Sequence, residues 1–199
     1  MFTLKTFSTP QDYLSTLSLM EEKAENIRKN NALEEIWFLE HPSLYTKGTS
    51  GRESELLAAN LLPVYEIGRG GRYTYHGPGQ RIGYLMLDLR ARRLGVKEFI
   101  RMVEDWLITA LKEIGINASV KEDKIGVWVG DAKIAAMGFR IIHGVSSHGF
   151  ALNVNPDLSY FKGIIPCGIK DFGVTGIKAL GKDISLAEVD KILERTCPF

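Results

Sequence analysis

Residues 127–154 read VWVGDAKIAAMGFRIIHGVSSHGFALNV, and the fold turns on them. Val127-Trp128-Val129 and Lys133 to Phe139 flank Gly130-Asp131, a dipeptide suited to a tight hairpin, and both flanks are rich in β-branched or small apolar residues. After the turn His143-Gly144-Val145, Ser146 to Val154 reads as the next strand. Strands joined by such short connections pair antiparallel, because a parallel pair needs a crossover of a dozen or more residues. Upstream the period changes. Phe99, Ile100, Val103, Trp106, Leu107, Ala110, Leu111 and Ile114 form one helical stripe, and Gly115 stands where a helix end favours a left-handed residue. Thr9-Pro10-Gln11-Asp12 reads as a helix start, followed at helical spacing by Tyr13, Leu14, Leu17, Met20, Ala24 and Ile27. Ile36 to Leu39, Val64 to Ile67 and Ile82 to Leu89 are short strands, and Ser185-Leu186-Ala187-Glu188 caps a last helix through Leu193. The pattern predicts an α+β fold: a mixed, largely antiparallel sheet with helices packed on it.

Composition narrows the class. The chain's 199 residues suit one domain, expected to span 1–199, and no linker or repeat interrupts them. With 25 Lys and Arg against 24 Asp and Glu, the net charge of +1 argues against a general nucleic-acid binder. Two cysteines are too few for a disulfide scaffold or a four-thiolate zinc site and fit a reducing compartment. No apolar run reaches the roughly 18 residues of a membrane span, and the first residues lack the pattern of a secretion signal. A cytoplasmic protein is expected, with no metal site, because no Cys/His pair has ligand spacing.

Three short segments carry chemistry. Gly68-Arg69-Gly70-Gly71-Arg72-Tyr73-Thr74-Tyr75-His76-Gly77-Pro78-Gly79-Gln80 has five glycines in 13 residues, interleaved with arginine, tyrosine and histidine. Glycine lets backbone N–H groups approach a ligand, and a mere turn has no use for the other side chains. The dinucleotide fingerprint fails here, since its last glycine is replaced by Tyr73. A near-miss phosphate loop at Gly176 to Asp183 has Asp183 where the magnesium-binding hydroxyl belongs. Cys167, between Pro166 and Gly168, sits in a turn-like context, yet an ordinary thiol is only a few per cent ionised at neutral pH. Lys133 needs explaining on a strand of small apolar residues, although an outward-facing edge lysine is equally consistent with the pattern. His76 and His148 are candidate general bases or structural histidines.

Taken together, Arg69-Gly70-Gly71-x-x-Thr74-Tyr75-His76-Gly77-Pro78-Gly79-Gln80, Lys133-Ile134-Ala135, His148-Gly149-x-Ala151-Leu152-Asn153 and Pro166-Cys167-Gly168 resemble the lipoyl(octanoyl) transferases. The resemblance runs from about Tyr13 to Thr175. It implies the catalytic fold of the biotin and lipoate protein ligases, and octanoyl transfer from acyl carrier protein to a lysine of a lipoyl domain. The acceptors it implies are the lipoyl domains of 2-oxoacid dehydrogenases and the glycine cleavage H protein. Cys167 then carries the acyl group as a thioester and Lys133 lowers the thiol's pKa. Substrate contacts are implied from Arg69, Gly70, Gly71, Arg72, Tyr73, Thr74, Tyr75 and His76, from Ala136, Met137 and Gly138, and from Gly149, Phe150 and Ala151. No cofactor is implied, since passing from thioester to amide is downhill without ATP.

Elementary chemistry agrees. A cationic Lys133 stabilises a thiolate, and the neutral amine accepts a proton from an incoming lysine. Six methylenes of an octanoyl chain contribute about 5 kcal/mol when buried, at ~0.8 kcal/mol each. Ala135, Ala136, Met137, Gly138 and Phe150 are the expected lining. From Arg69 to Arg101, eight basic residues face only Asp88 and Glu98, suggesting a docking face for an acidic carrier. Two other classes stay open: an ATP-dependent ligase of the same fold, and a non-catalytic module that binds acyl chains or carrier protein.

Overall fold

The computed structural model describes residues 2–165 and 173–199. Its main sheet has eight strands: β1 (Phe2–Thr6), β2 (Glu34–Leu39), β6 (Gln80–Met86), β10 (Val145–Asn153), β9 (Ala132–Ile142), β8 (Lys124–Val129) and β7 (Ser119–Lys121) in that spatial order, with β11 (Gly173–Val174) beside β9. A second sheet holds β4 (Val64–Glu66), β3 (Leu44–Lys47) and β5 (Tyr73–His76). Among the described residues, three α-helices, α1 (Tyr13–Arg28), α2 (Val96–Glu113) and α3 (Leu186–Thr196), pack with the sheets. The expected α+β fold is present, and the β8–β9 and β9–β10 pairs are antiparallel as their short turns require.

Side-chain alternation explains the layers. On β2, Ile36 and Phe38 join Leu85, Leu87, Phe150 and Leu152 against Phe99, Val103, Trp106 and Leu107 of α2 and Val189 and Leu193 of α3. Trp37 and Leu39 point the other way, with Ile82, Tyr84, Met86 and Ala151, toward Met20 and Ile27 of α1. Central strands covered on both faces read as continuous apolar runs rather than alternating ones.

Several local expectations are corrected. Asp12, not Thr9, caps α1: its side chain accepts from Ser15 N at 2.9 Å. Residues before it cannot join the helix, because Gln11 N donates to Glu40 O at 2.8 Å and ties that stretch to the end of β2. The glycine-rich stretch is not one loop either. Tyr73-Thr74-Tyr75-His76 is β5, whose aromatic and β-branched residues suit a strand better than a ligand loop. Residue spacing does not mark β1, β3, β7 or β11; β1 pairs parallel with β2 through the α1 crossover. No helix among the described residues is long and apolar enough to cross a membrane.

Candidate active site

The site lies where the second sheet meets β9 and β10. Gly70 N donates to Phe139 O at 2.9 Å, and a Cβ on Gly138 would stand 2.8 Å from Gly70 O, so only glycine lets the loop seat on β9. Arg69, 7% exposed, holds the loop from inside. Its guanidinium donates to Gly70 O (2.8 Å), Thr46 O (3.0 Å), Thr46 Oγ1 (2.6 Å) and Arg72 O (3.0 Å). Arg72 pairs with Glu55.

Beneath this loop runs a cavity of about 490 Å³, its open mouth included. Arg69, Gly71, Arg72, Tyr73, Thr74 and His76 line it from the second sheet and its loop, Ala136, Met137 and Gly138 from β9, and Gly149, Phe150 and Ala151 from β10. These are residues to which the resemblance assigns substrate contacts, and they share one cavity. Gly70 braces the wall through its backbone, whereas Tyr75 stays outside. Alternation along β5 turns its ring away, to stack on Tyr160 at 5.2 Å and meet Phe161 edge-on at 5.3 Å. Tyr13, Ile67, Ile82 and Tyr84 also line the cavity and were not foreseen. In sequence they read as ordinary core positions of a helix and strands, and only tertiary packing sets them here.

A second, smaller cavity adjoins the first, sharing Thr74, Ala136 and Ala151 and adding Gln80, Lys133, Asn153, Phe161 and Val174. The two outline a groove along β9 and β10, from Lys133 and Asn153 to Gly138 and His148. Lys133 is 6% exposed; its Nζ donates to Ile125 O at 2.9 Å and lies 4.7 Å from the Trp128 ring centroid. The outward-facing reading of this lysine is thereby replaced. On the neighbouring edge, Val174 of β11 pairs with Lys133, and Thr175 N donates to Lys133 O at 3.0 Å. Cys167 lies outside the described residues, in the stretch between Ile165 and Gly173.

A buried polar chain links the groove's walls at this end. His76 Nδ1 lies 2.8 Å from Gln80 Oε1, Gln80 Nε2 donates to Asn153 Oδ1 at 2.9 Å, and Asn153 Nδ2 donates to Thr175 O at 2.9 Å. Burial holds the His76 and His148 imidazoles neutral, each with a pKa of about 3, with Arg69 adding to the depression. Such imidazoles are weak bases at neutral pH, which argues against the general-base role considered for them. His148 is also at the far end of the groove from Lys133.

The basic run is not an open charged face. Arg81 pairs with Asp190, Arg90 with Asp88, Arg92 with Glu34 and Arg101 with Asp105. Moreover, Gln80 opposes Asn153 near Lys133, while Asp88 bridges Val145, so Asp88, just before the turn that carries Arg90 to Arg93, lies about 27 Å further along the strand direction at ~3.4 Å per residue. Two of these carboxylates, Glu34 and Asp190, are distant in sequence and fall outside a charge count of the run.

The architecture is that of the lipoate and biotin protein ligase catalytic fold. Lipoate-protein ligase A bound with ATP superposes with a TM-score of 0.75 at 16% identity, covering 96% of this chain and 83% of that one. A putative lipoate protein ligase from T. acidophilum with bound lipoic acid gives 0.73 at 17% identity, covering 98% and 83%, and the Aquifex aeolicus biotin protein ligase in complex with biotin and ATP gives 0.57 at 20%, covering 98% and 67%. Within that class, residues 12–197 match the lipoyl protein ligase A/B catalytic domain, and the chain belongs to this family. It is 48% identical over 192 residues to the octanoyltransferase of Zymomonas mobilis, covering 94% of this chain and 89% of that protein. The Rhodospirillum rubrum octanoyltransferase is 49% identical over 193 residues, with 94% and 89% covered. The chain is an acyltransferase.

Proposed function

We propose that this acyltransferase moves an octanoyl group from the thioester of an acyl carrier protein to a lysine of a lipoyl domain, by way of a thioester on Cys167. The observation that carries the reading is Lys133, a buried amine at one end of an apolar groove, beside the strand that follows the Cys167 segment. Of the two cysteines, Cys197 is packed against the α2–α3 core and burial pushes its thiol pKa up, which suits it poorly as a nucleophile.

In the first half-reaction the Cys167 thiolate, stabilised by the Lys133 ammonium, attacks the donor carbonyl. The carrier's C–S bond breaks, and the leaving thiolate takes a proton from Lys133. In the second, the acceptor lysine attacks the Cys167 thioester, neutral Lys133 takes a proton from the new amide nitrogen, and the Cys167 thiolate is restored. Both half-reactions balance without ATP. The chain lies along Ala136, Met137, Gly138 and Phe150, where burial of about six methylenes contributes about 5 kcal/mol.

Intact-mass spectrometry after mixing with octanoyl-carrier protein tests this, with neither acceptor nor ATP present. One octanoyl mass, released by hydroxylamine, is expected in the wild type and in Cys197→Ala and absent from Cys167→Ala. In Lys133→Ala, acylation falls by ~10²–10⁴-fold, and the iodoacetamide-labelling profile of Cys167 moves to higher pH. An adduct that persists in Cys167→Ala refutes the covalent route.

A further inference from the structure

The groove has a polar end. Remote from Lys133 it is lined by Tyr13, Tyr84 and His148. Tyr13 is 3% and His148 2% exposed, and neither Tyr13 Oη nor His148 Nε2 has a hydrogen-bond partner among the described residues. Orphaned polar groups at this depth are uncommon in folded proteins.

His148 is held there by its backbone. An even-numbered position on β10 would follow Phe150 and Leu152 onto the α2 face. Instead its φ is +58°, a left-handed conformation that costs a non-glycine residue stability, and its ring meets Tyr84 edge-on at 6.0 Å on the opposite face. The ladder is rewired to permit this. His148 N donates to Met20 Sδ at 3.1 Å, while Leu85 O, its expected partner, accepts from Ser146 Oγ at 2.8 Å.

We propose that Tyr13 and His148 form a polar stop that sets the length of acyl chain the groove accepts, an inference that rests on the acyl-transfer reading above. A chain whose carbonyl lies at Lys133 runs over Ala136, Met137 and Gly138, all without side-chain polar atoms. A chain that ends before the stop leaves Tyr13 Oη and His148 Nε2 each to water that enters the groove. A longer saturated chain displaces that water and sets both groups against methylenes that offer no hydrogen bond. Each group so orphaned weakens binding by about tenfold. The imidazole stays neutral at working pH, so it presents a lone pair or one N–H to the water rather than a charge.

Single-turnover acylation with carrier-free thioesters of six, eight, ten and twelve carbons, followed by intact mass, tests the stop. Tyr13→Phe removes one oxygen and keeps the ring; the ratio of decanoyl to octanoyl acylation rate is expected to rise about tenfold. His148→Asn, chosen because asparagine tolerates the left-handed backbone, shifts the ratio in the same direction. An unchanged ratio in both variants, with octanoyl transfer retained by the wild type, overturns the stop and leaves the proposed function standing. Absence of an acyl adduct in the wild type with every thioester overturns both.

Discussion

Asn153→Leu isolates the buried chain that ties β5, β6, β10 and β11 together. Asn153 is 3% exposed, and its amide accepts from Gln80 Nε2 and donates to Thr175 O, both at 2.9 Å. Leucine has a similar volume but offers neither contact, so the Gln80 amide, 1% exposed, and the Thr175 carbonyl are left unpaired. Each orphan costs about 1–3 kcal/mol, and the pair about 2–6 kcal/mol, a large part of the ~5–15 kcal/mol that holds a typical domain together. At ~2–4 °C per kcal/mol for a chain of this size, Tm falls by about 4–24 °C. Urea unfolding at neutral pH measures the loss directly, with an unchanged m-value showing that the unfolded state is not altered. Gln80→Leu combined with Asn153→Leu should cost less than the two singly, because removing the Gln80 amide removes one orphan. A loss below about 1 kcal/mol, or strict additivity in the double variant, refutes the argument.

His41 is held to a pKa of about 4 and His76 and His148 to about 3, chiefly by burial, whereas the unfolded chain protonates them near pH 6.5. Their stabilising contribution is therefore full above that pH and lost as pH falls toward 4, at up to about 4 kcal/mol per pH unit when all three titrate together. Denaturant midpoints measured from pH 7.5 to 5 should drop steeply, and less so in His41→Gln; a flat profile contradicts the assignment. Gly149→Ala should cost about 3 kcal/mol or more, since its Cβ would lie 1.9 Å from Gly83 O. Gly95→Ala, with nothing within 4 Å, should change stability by less than about 0.5 kcal/mol, so equal losses in the two refute the packing argument.

What the chain declares by itself is what neighbours in sequence decide. The stripe on α2 and the turns at Gly130-Asp131 and His143-Gly144 are short-range features. Residue spacing therefore predicts one helix and three successive strands close to where they stand. The glycines of the loop and the residues of β9 and β10 also mark the groove's walls, through a resemblance carried by ordered motifs rather than by any local period. Other features depend on partners that are remote in sequence. β5 is hidden among glycines because its stability comes from pairing with β3, and Arg81 and Arg92 read as open charge because Asp190 and Glu34 lie far along the chain. The burial of Lys133 requires β8, whose Gly126 lies against the lysine side chain. The place of His148 reverses strand alternation altogether. A period of two assigns it to the α2 face, and only the exchange of its ladder bond for one to Met20 Sδ, with Ser146 Oγ donating to the Leu85 carbonyl in its place, turns the ring into the groove. Local propensity settles which segments become helix or strand, but the long-range hydrogen bonds and packing that override it exist only once the sheet has assembled.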